Sequence, residues 1–145
     1  MILNTTYTNK KHEALINDLV GKPYSFWQSI MMKGTGSKRM IIDEVSPNMN
    51  NYLNSVPDVN YANLEMRPVG ILVRINKGLN TYTWVIPYYK LAINKSSNGS
   101  SIHAEGKFIN FRANSNFREN KGFFDKLLNE KVKYEAEYHT LPSFQ

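Results

Sequence analysis

Three histidines, His12, His103 and His139, are the first places to look for chemistry in this chain, which has no cysteine. Ser101, His103 and Glu105 alternate, so on a strand they would share one face as a hydroxyl, an imidazole and a carboxylate. Alternate side chains on a strand run side by side and do not converge. That row therefore reads as a polar sheet face, not as nucleophile, base and orienting acid. No histidine stands at metal-binding spacing from another histidine or from a helical carboxylate. Asp43 and Glu44 are adjacent and would point apart on a strand, while Glu135 and Glu137 lie beside Lys131 and Lys133 as helix-surface charge. No catalytic residue, metal ligand or cofactor is assigned, and the reading leans away from an enzyme.

The stretch "IMMKGTGSKRMII", residues 30 to 42, is the nearest thing to a motif. A phosphate-binding P-loop needs Gly-x-x-x-x-Gly-Lys-Ser/Thr between a strand and a helix, because helix-terminal N–H groups and the lysine cradle the phosphate together. Here the glycines are too close, Lys38 follows Ser37, and a β-type run comes next. The nucleotide loop is excluded on spacing and on context. What remains is a glycine turn with a basic tip, Lys33, Lys38 and Arg39, as a candidate anion contact.

Charge adds a second candidate. The net charge is +6, and the stretch from Arg67 to Arg112 holds seven cations against Glu105 alone, leaving the rest of the chain neutral. Arg74, Lys90, Lys107 and Arg112 are its candidate ligand-binding residues. Such a stretch could attract phosphate-rich partners. Lysine outnumbers arginine 13 to 5, which weakens a nucleic-acid reading, since bidentate base recognition favours arginine. Tyr82, Trp84 and Tyr88 could stack bases, but a tryptophan among β-branched residues is more often core.

The elements that must position these residues follow from periodicity. At 145 residues with 41% hydrophobic content, one soluble domain with a real core is expected. Residues 9 to 20 read as a helix with Leu15, Ile16, Leu19 and Val20 on one stripe, stopped by Gly21 and Pro23. The runs "YSFWQSIMM" and "KRMIIDEV" read as a β-hairpin over about residues 24 to 45. An insertion over about 46 to 66 begins with Ser46 and Pro47 as a helix start carrying Met49, Tyr52, Leu53 and Val56, and ends at Pro57-Asp58. A β meander over about 67 to 112 places Val69, Ile71, Val73 and Ile75 on one face. It bends at Pro87, turns at "NKSSNGSS" and carries a bulge at Gly106. An amphipathic helix over about 116 to 138, capped by Ser115 or Asn120, closes the chain with Phe123, Leu127, Tyr134 and Tyr138 on its stripe, flanked by Phe124 and Leu128.

The segments "TWVIPYYKLAI", "SIHAEGKFINFR" and "NKGFFDKLLNEKV" form a bent meander closed by a terminal helix. This arrangement resembles the pleckstrin-homology-like (PH-like) superfold, particularly its small bacterial versions. The resemblance implies an α+β fold: a partly open antiparallel β-barrel plugged by the C-terminal helix, here with an extra N-terminal helix. Lipid-binding members use a lysine on the first strand and a basic-x-Arg element on the second. Lys33 matches the lysine, but Lys38 and Arg39 are adjacent and position 40 is Met40, so the lipid signature is broken. Many members of the fold serve as protein-interaction modules.

The expectation is a non-catalytic cytoplasmic binding module for a protein or an anionic ligand. Nucleic-acid binding through residues 67 to 112 is the alternative. Peripheral membrane contact ranks low, and pairing of open sheet edges into a homodimer is a further expectation. No secretory h-region and no long apolar span is seen.

Overall fold

The computed structural model describes residues 1–54, 59–96, 99–113 and 119–139. Val56, Pro57-Asp58, Ser115, the middle of the 97–98 turn, the predicted helix start near 116, and the side chains of Tyr138 and His139 lie outside the described residues.

Eight antiparallel strands form one open sheet. They are β1 (Ile2–Asn4), β2 (Met40–Val45), β3 (Asn60–Arg67), β4 (Gly70–Lys77), β5 (Asn80–Pro87), β6 (Ala92–Ser96), β7 (Gly99–Ala104) and β8 (Lys107–Arg112). Their spatial order is β1-β5-β4-β3-β2-β8-β7-β6, so two meanders meet where β2 pairs with β8. Among the described residues three α-helices are added: α1 (Lys10–Val20), α2 (Phe26–Met31) and α3 (Lys121–His139). The fold is α+β, with an antiparallel sheet that does not close and a helix at its C-terminal end.

Alternation sorts the strands onto two faces. Leu64, Met66, Ile71, Val73, Ile75, Trp84, Ile86, Ile102, Ile109 and Phe111 bury one face, and Phe123, Phe124 and Leu127 of α3 join them. Each of those three helix side chains contributes about 2 kcal/mol of burial. The other face carries a smaller cluster in which Ile16 and Val20 of α1 cover Leu72 and Val85. Close approach of α1 needs Gly70, where a Cβ would stand 2.5 Å from Val20 Cγ1 and from the Ile86 carbonyl oxygen. Of the expected α1 stripe, Ile16 and Val20 are buried and Leu19 packs against them, but Leu15 is exposed.

Several expected boundaries change. The first arm of the predicted hairpin is helix α2, because Ser25 and Gln28 form a capping box: the Gln28 N–H donates to Ser25 Oγ, and the Ser25 N–H donates to Gln28 Oε1. The predicted glycine turn is instead a helix C-cap. Lys33 adopts φ +59, its N–H reaches the Ile30 carbonyl, and the Gly34 N–H reaches that of Ser29, the two bonds of a Schellman motif. Residues 35 to 37 then run along β3, with Ser37 N–H to the Leu64 carbonyl at 2.8 Å and Met66 N–H to the Thr35 carbonyl at 2.7 Å.

Within the predicted insertion, Pro47–Tyr52 forms a 3-10 helix that buries Met49, and β3 starts already at Asn60. Ser46 stands at the N-cap of that helix, and its carbonyl accepts the Met49 N–H, but its side chain makes no capping bond; its Oγ accepts the Phe108 N–H at 3.0 Å and extends the pairing with β8. At Pro87 the chain leaves β5 for a 3-10 turn at Tyr88–Lys90. Gly106 marks no bulge: Glu105 and Gly106, at φ +52 and +76, make the two-residue loop of the β7–β8 hairpin. β1 was not expected; it pairs with β5 at one sheet edge.

Candidate functional site

Helix α2 is the most unusual surface of the molecule. Phe26, Trp27, Ile30 and Met31 are 73%, 72%, 52% and 83% exposed, and no residue of this helix is buried. Phe26 and Trp27 meet edge to face at 5.8 Å between ring centroids. Together the four side chains leave on the order of 500 Å² of apolar surface in water, taking about 150–250 Å² for a full aromatic side chain. Soluble monomers rarely expose contiguous apolar patches beyond a few hundred Å².

The knuckle is held from below. Lys126 of α3 donates from Nζ to the carbonyl oxygens of Met32, Lys33 and Gly34 at 3.2, 3.1 and 3.0 Å. A cation there meets the negative end of the α2 dipole and satisfies carbonyls that the helix end leaves open. Asn120 fixes the chain a few residues on: its Oδ1 accepts the Lys38 N–H at 2.7 Å and its Nδ2 donates to the Lys38 carbonyl at 3.0 Å. Asn120 thus grips the segment leading into β2 through its side chain.

Cations outnumber acids around the knuckle, where Glu119 and Glu130 of the C-terminal helical segment are the nearby acids. Residues 19 to 42 contain Lys22, Lys33, Lys38 and Arg39 and no acid. Lys38 meets Glu119 at 2.8 Å, and Arg39 lies 4.0 Å from the Tyr61 ring centroid. Lys22 and Lys33, at the two ends of α2, are exposed. The three cations expected at the basic tip therefore take separate roles. Lys33 caps a helix, Lys38 pairs with an acid, and Arg39 stacks on an aromatic ring.

Most of the cations between Arg67 and Arg112 meet an acid or a carbonyl oxygen. Arg74 binds Glu65 at 3.0 Å, Lys90 binds Glu105 at 3.3 Å, Lys95 binds Asp125 at 2.8 Å, and Arg112 binds Asp43 at 3.1 Å. Lys77 donates to the Asn51 carbonyl at 2.7 Å. Lys107 adds its charge to those that hold Glu105 ionised. Buried Arg67 is met by Glu65 at 2.5 Å, the Gly21 carbonyl at 2.9 Å and Asn17 Oδ1 at 3.1 Å. Sequence distance hid these acids: Asp43 and Asp125 come from outside the basic stretch.

Burial alone would push the Glu65 carboxyl up, but the hydrogen bond from Arg67 and the charges of Arg74 and Arg67 outweigh it and hold the group below its ordinary value. Burial, then the nearby Tyr24 and Glu130, raise the Tyr88 phenol well above its usual range. Its O–H donates to the Arg67 carbonyl at 3.2 Å.

The remaining candidates resolve as follows. Ser101 Oγ and His103 Nε2 stand 3.0 Å apart on the outer sheet face, but Glu105 turns away into the hairpin loop. Trp84 and Tyr88 are buried in the core, so they offer no platform for a base; Tyr82 packs edge to face on Tyr52 at 5.2 Å. Among the described residues no cluster of histidines and carboxylates could hold a metal ion. Among them, too, no helix is long and apolar enough to cross a membrane.

Sequence reasoning missed α2 as a surface, although its signals were present. Ser25-x-x-Gln28 is a capping box, and apolar residues at 26, 27, 30 and 31 fit a helical stripe and break strand alternation. Comparison with protein-family models, curated proteins and solved structures finds no match for this chain.

Proposed function

We propose that this protein is a non-catalytic binding module that docks through α2 onto a protein partner whose apolar groove is rimmed by carboxylates. The observation that carries the reading is the exposure of Phe26, Trp27, Ile30 and Met31 on a helix capped at both ends, so the patch is built and held rigid. Helix-in-groove recognition uses such side chains as anchors, and tryptophan at the centre of a contact commonly dominates its energy. Charge selects the occupant. Exposed Lys22 and Lys33 stand at the two ends of the patch, with Glu130 beside the Met31 end, so a mainly acidic rim is complementary and a second copy would bring the same lysines against each other. A helix of six residues spans only about 9 Å. That is short for a stable membrane anchor, which usually needs two signals.

The finer fold reading is the PH-like superfold. What supports it is the two meanders joined through β2 and β8, a sheet left open with β1 and β6 as its edges, and α3 seated on the core face. In that fold binding modules without catalytic residues are common, and the fold alone does not choose the partner.

A photo-crosslinking residue at position 27 in the native cell tests the docking reading, with position 79 as control because Leu79 is 96% exposed. A protein captured from 27 and not from 79 should, once purified, bind the W27A/M31A variant at least about tenfold more weakly, a loss of about 1.4 kcal/mol. Equal binding by the variant, capture of a second copy, or attachment only to anionic vesicles would each overturn the reading.

A further inference from the structure

A second site is built on the opposite side of the sheet from the α3-covered core, independent of α2. A cleft of about 310 Å³ lies between the segment Thr5–Asn9, the start of α1 and the outer face of β4 and β5. Its walls include Thr5, His12, Arg67, Arg74, Thr81 and Thr83. We propose that this cleft binds a small oxyanion, a phosphate or carboxylate group carried on a compact molecule.

The argument rests on spare donors held in place. Arg67 and Arg74 are both oriented by one carboxylate, with Glu65 Oε2 on Arg67 Nε at 2.5 Å and Glu65 Oε1 on Arg74 Nη1 at 3.0 Å. Two guanidinium groups against one acid leave a net positive charge on the triad. A guanidinium has five N–H donors in a fixed fork. Arg67 uses three, through Nε to Glu65 and Nη1 to Asn17 and to the Gly21 carbonyl, which leaves Nη2. Arg74 uses Nη1 alone, which leaves Nε and Nη2, the bidentate edge that matches two oxygens of a carboxylate or phosphate.

Hydroxyls line the same space. Thr5 Oγ1 and Thr83 Oγ1 share a 2.6 Å hydrogen bond that takes one of their two protons; the second proton, which in Thr5 reaches the Thr81 carbonyl at a long 3.4 Å, is the one a ligand oxygen could accept. His12 Nδ1 is sealed from solvent without a hydrogen-bond partner, a polar atom left over in the wall. Glu13 is the cleft's one acidic lining residue, so a ligand with a single anionic group and a neutral or cationic body fits better than a polyanion. The volume suits a group the size of a phosphate monoester, since a water takes about 30 Å³.

Amide-resolved NMR titration of the full chain tests this, with inorganic phosphate in one arm and acetate in the other, at ionic strength held constant by chloride. The expected result is a saturable shift confined to residues 5–9, Arg74 and Thr83, at millimolar concentration or below, with the stronger arm naming the preferred oxyanion. Arg74→Gln should weaken binding at least about tenfold while the rest of its spectrum is unchanged. Should that variant fail to fold, Thr5→Val, which removes one hydroxyl from the cleft mouth, should weaken binding several-fold. No saturable shift in either arm, shifts spread over surface lysines, or unchanged affinity in the folded variants would overturn the proposal.

Discussion

Lys126 Nζ donates to the Gly34 carbonyl at 3.0 Å, so a residue of α3 completes the end of α2 across 92 positions of sequence. The same ammonium serves the Met32 and Lys33 carbonyls. The exposed helix is thus anchored to the element that plugs the core, while none of its own side chains is buried. Stability and apolar exposure at α2 are therefore set by different residues and can be separated by mutation.

Lys126→Met removes the charge and keeps the stem. It should cost about 1–2 kcal/mol in urea unfolding, the loss of charge-assisted hydrogen bonds at a half-exposed site. Trp27→Ala should change stability by no more than about 0.5 kcal/mol, because that ring rests in water. A large loss at Trp27 would mean that the ring is packed.

Lys33→Gly should stabilise the protein by about 1 kcal/mol, because Lys33 holds φ +59, a conformation that costs a side-chain-bearing residue about that much. Thermal unfolding checks it. If the segment were a β-hairpin arm, as the sequence suggested, glycine there would bring no gain.

Gly99→Ala should be among the most damaging single changes. A Cβ at Gly99 would stand 2.0 Å from the Phe111 carbonyl oxygen, and φ is +138. A loss above about 3 kcal/mol, or failure to fold, is expected, through backbone strain and a broken β7–β8 ladder. Gly106→Ala meets no atom within 4 Å and pays only for its φ of +76, so it should cost about 1 kcal/mol. Paired denaturation curves test the ranking.

Glu65 links stability to acid. Its folded-state pKa lies below the ordinary value, so its stabilising effect is present above the unfolded-state pKa and is lost as pH falls through the folded one. Glu65→Gln should lower stability at neutral pH and flatten its decline between about pH 5 and 3. An unchanged acid limb would show that Arg67 and Arg74 do not depend on this carboxylate.

How much of this was legible in the sequence follows from range. Alternation in β4 and β5, Pro47 at a helix start and the α3 stripe through Phe123, Leu127 and Tyr134 are local patterns, and the structure keeps them. The segment from Tyr24 to Met32 is rich in residues that favour strands. Propensity there competes with a two-residue capping signal, and the cap prevails because Lys126 and the Schellman bonds finish the other end. The partners of the basic stretch were hidden for a different reason. Charge was counted along the chain, whereas Arg112 meets Asp43 and Lys95 meets Asp125 only after the sheet is assembled. The cleft at Arg67 and Arg74 was equally hidden, since its Thr5 and His12 wall reaches β5 through an N-terminal strand that no periodicity announced.

The chain has two tryptophans, Trp27 at 72% exposure and Trp84 fully buried, so fluorotryptophan NMR reads the central claim directly. In the free protein, the resonance assigned by Trp27→Phe should shift between H₂O and D₂O, while that of Trp84 should not. Adding the partner crosslinked from position 27 should move the Trp27 resonance and remove its solvent shift, leaving Trp84 unchanged. A Trp27 resonance already shielded from solvent in the free chain, or one indifferent to the bound partner, would contradict α2 as the docking surface.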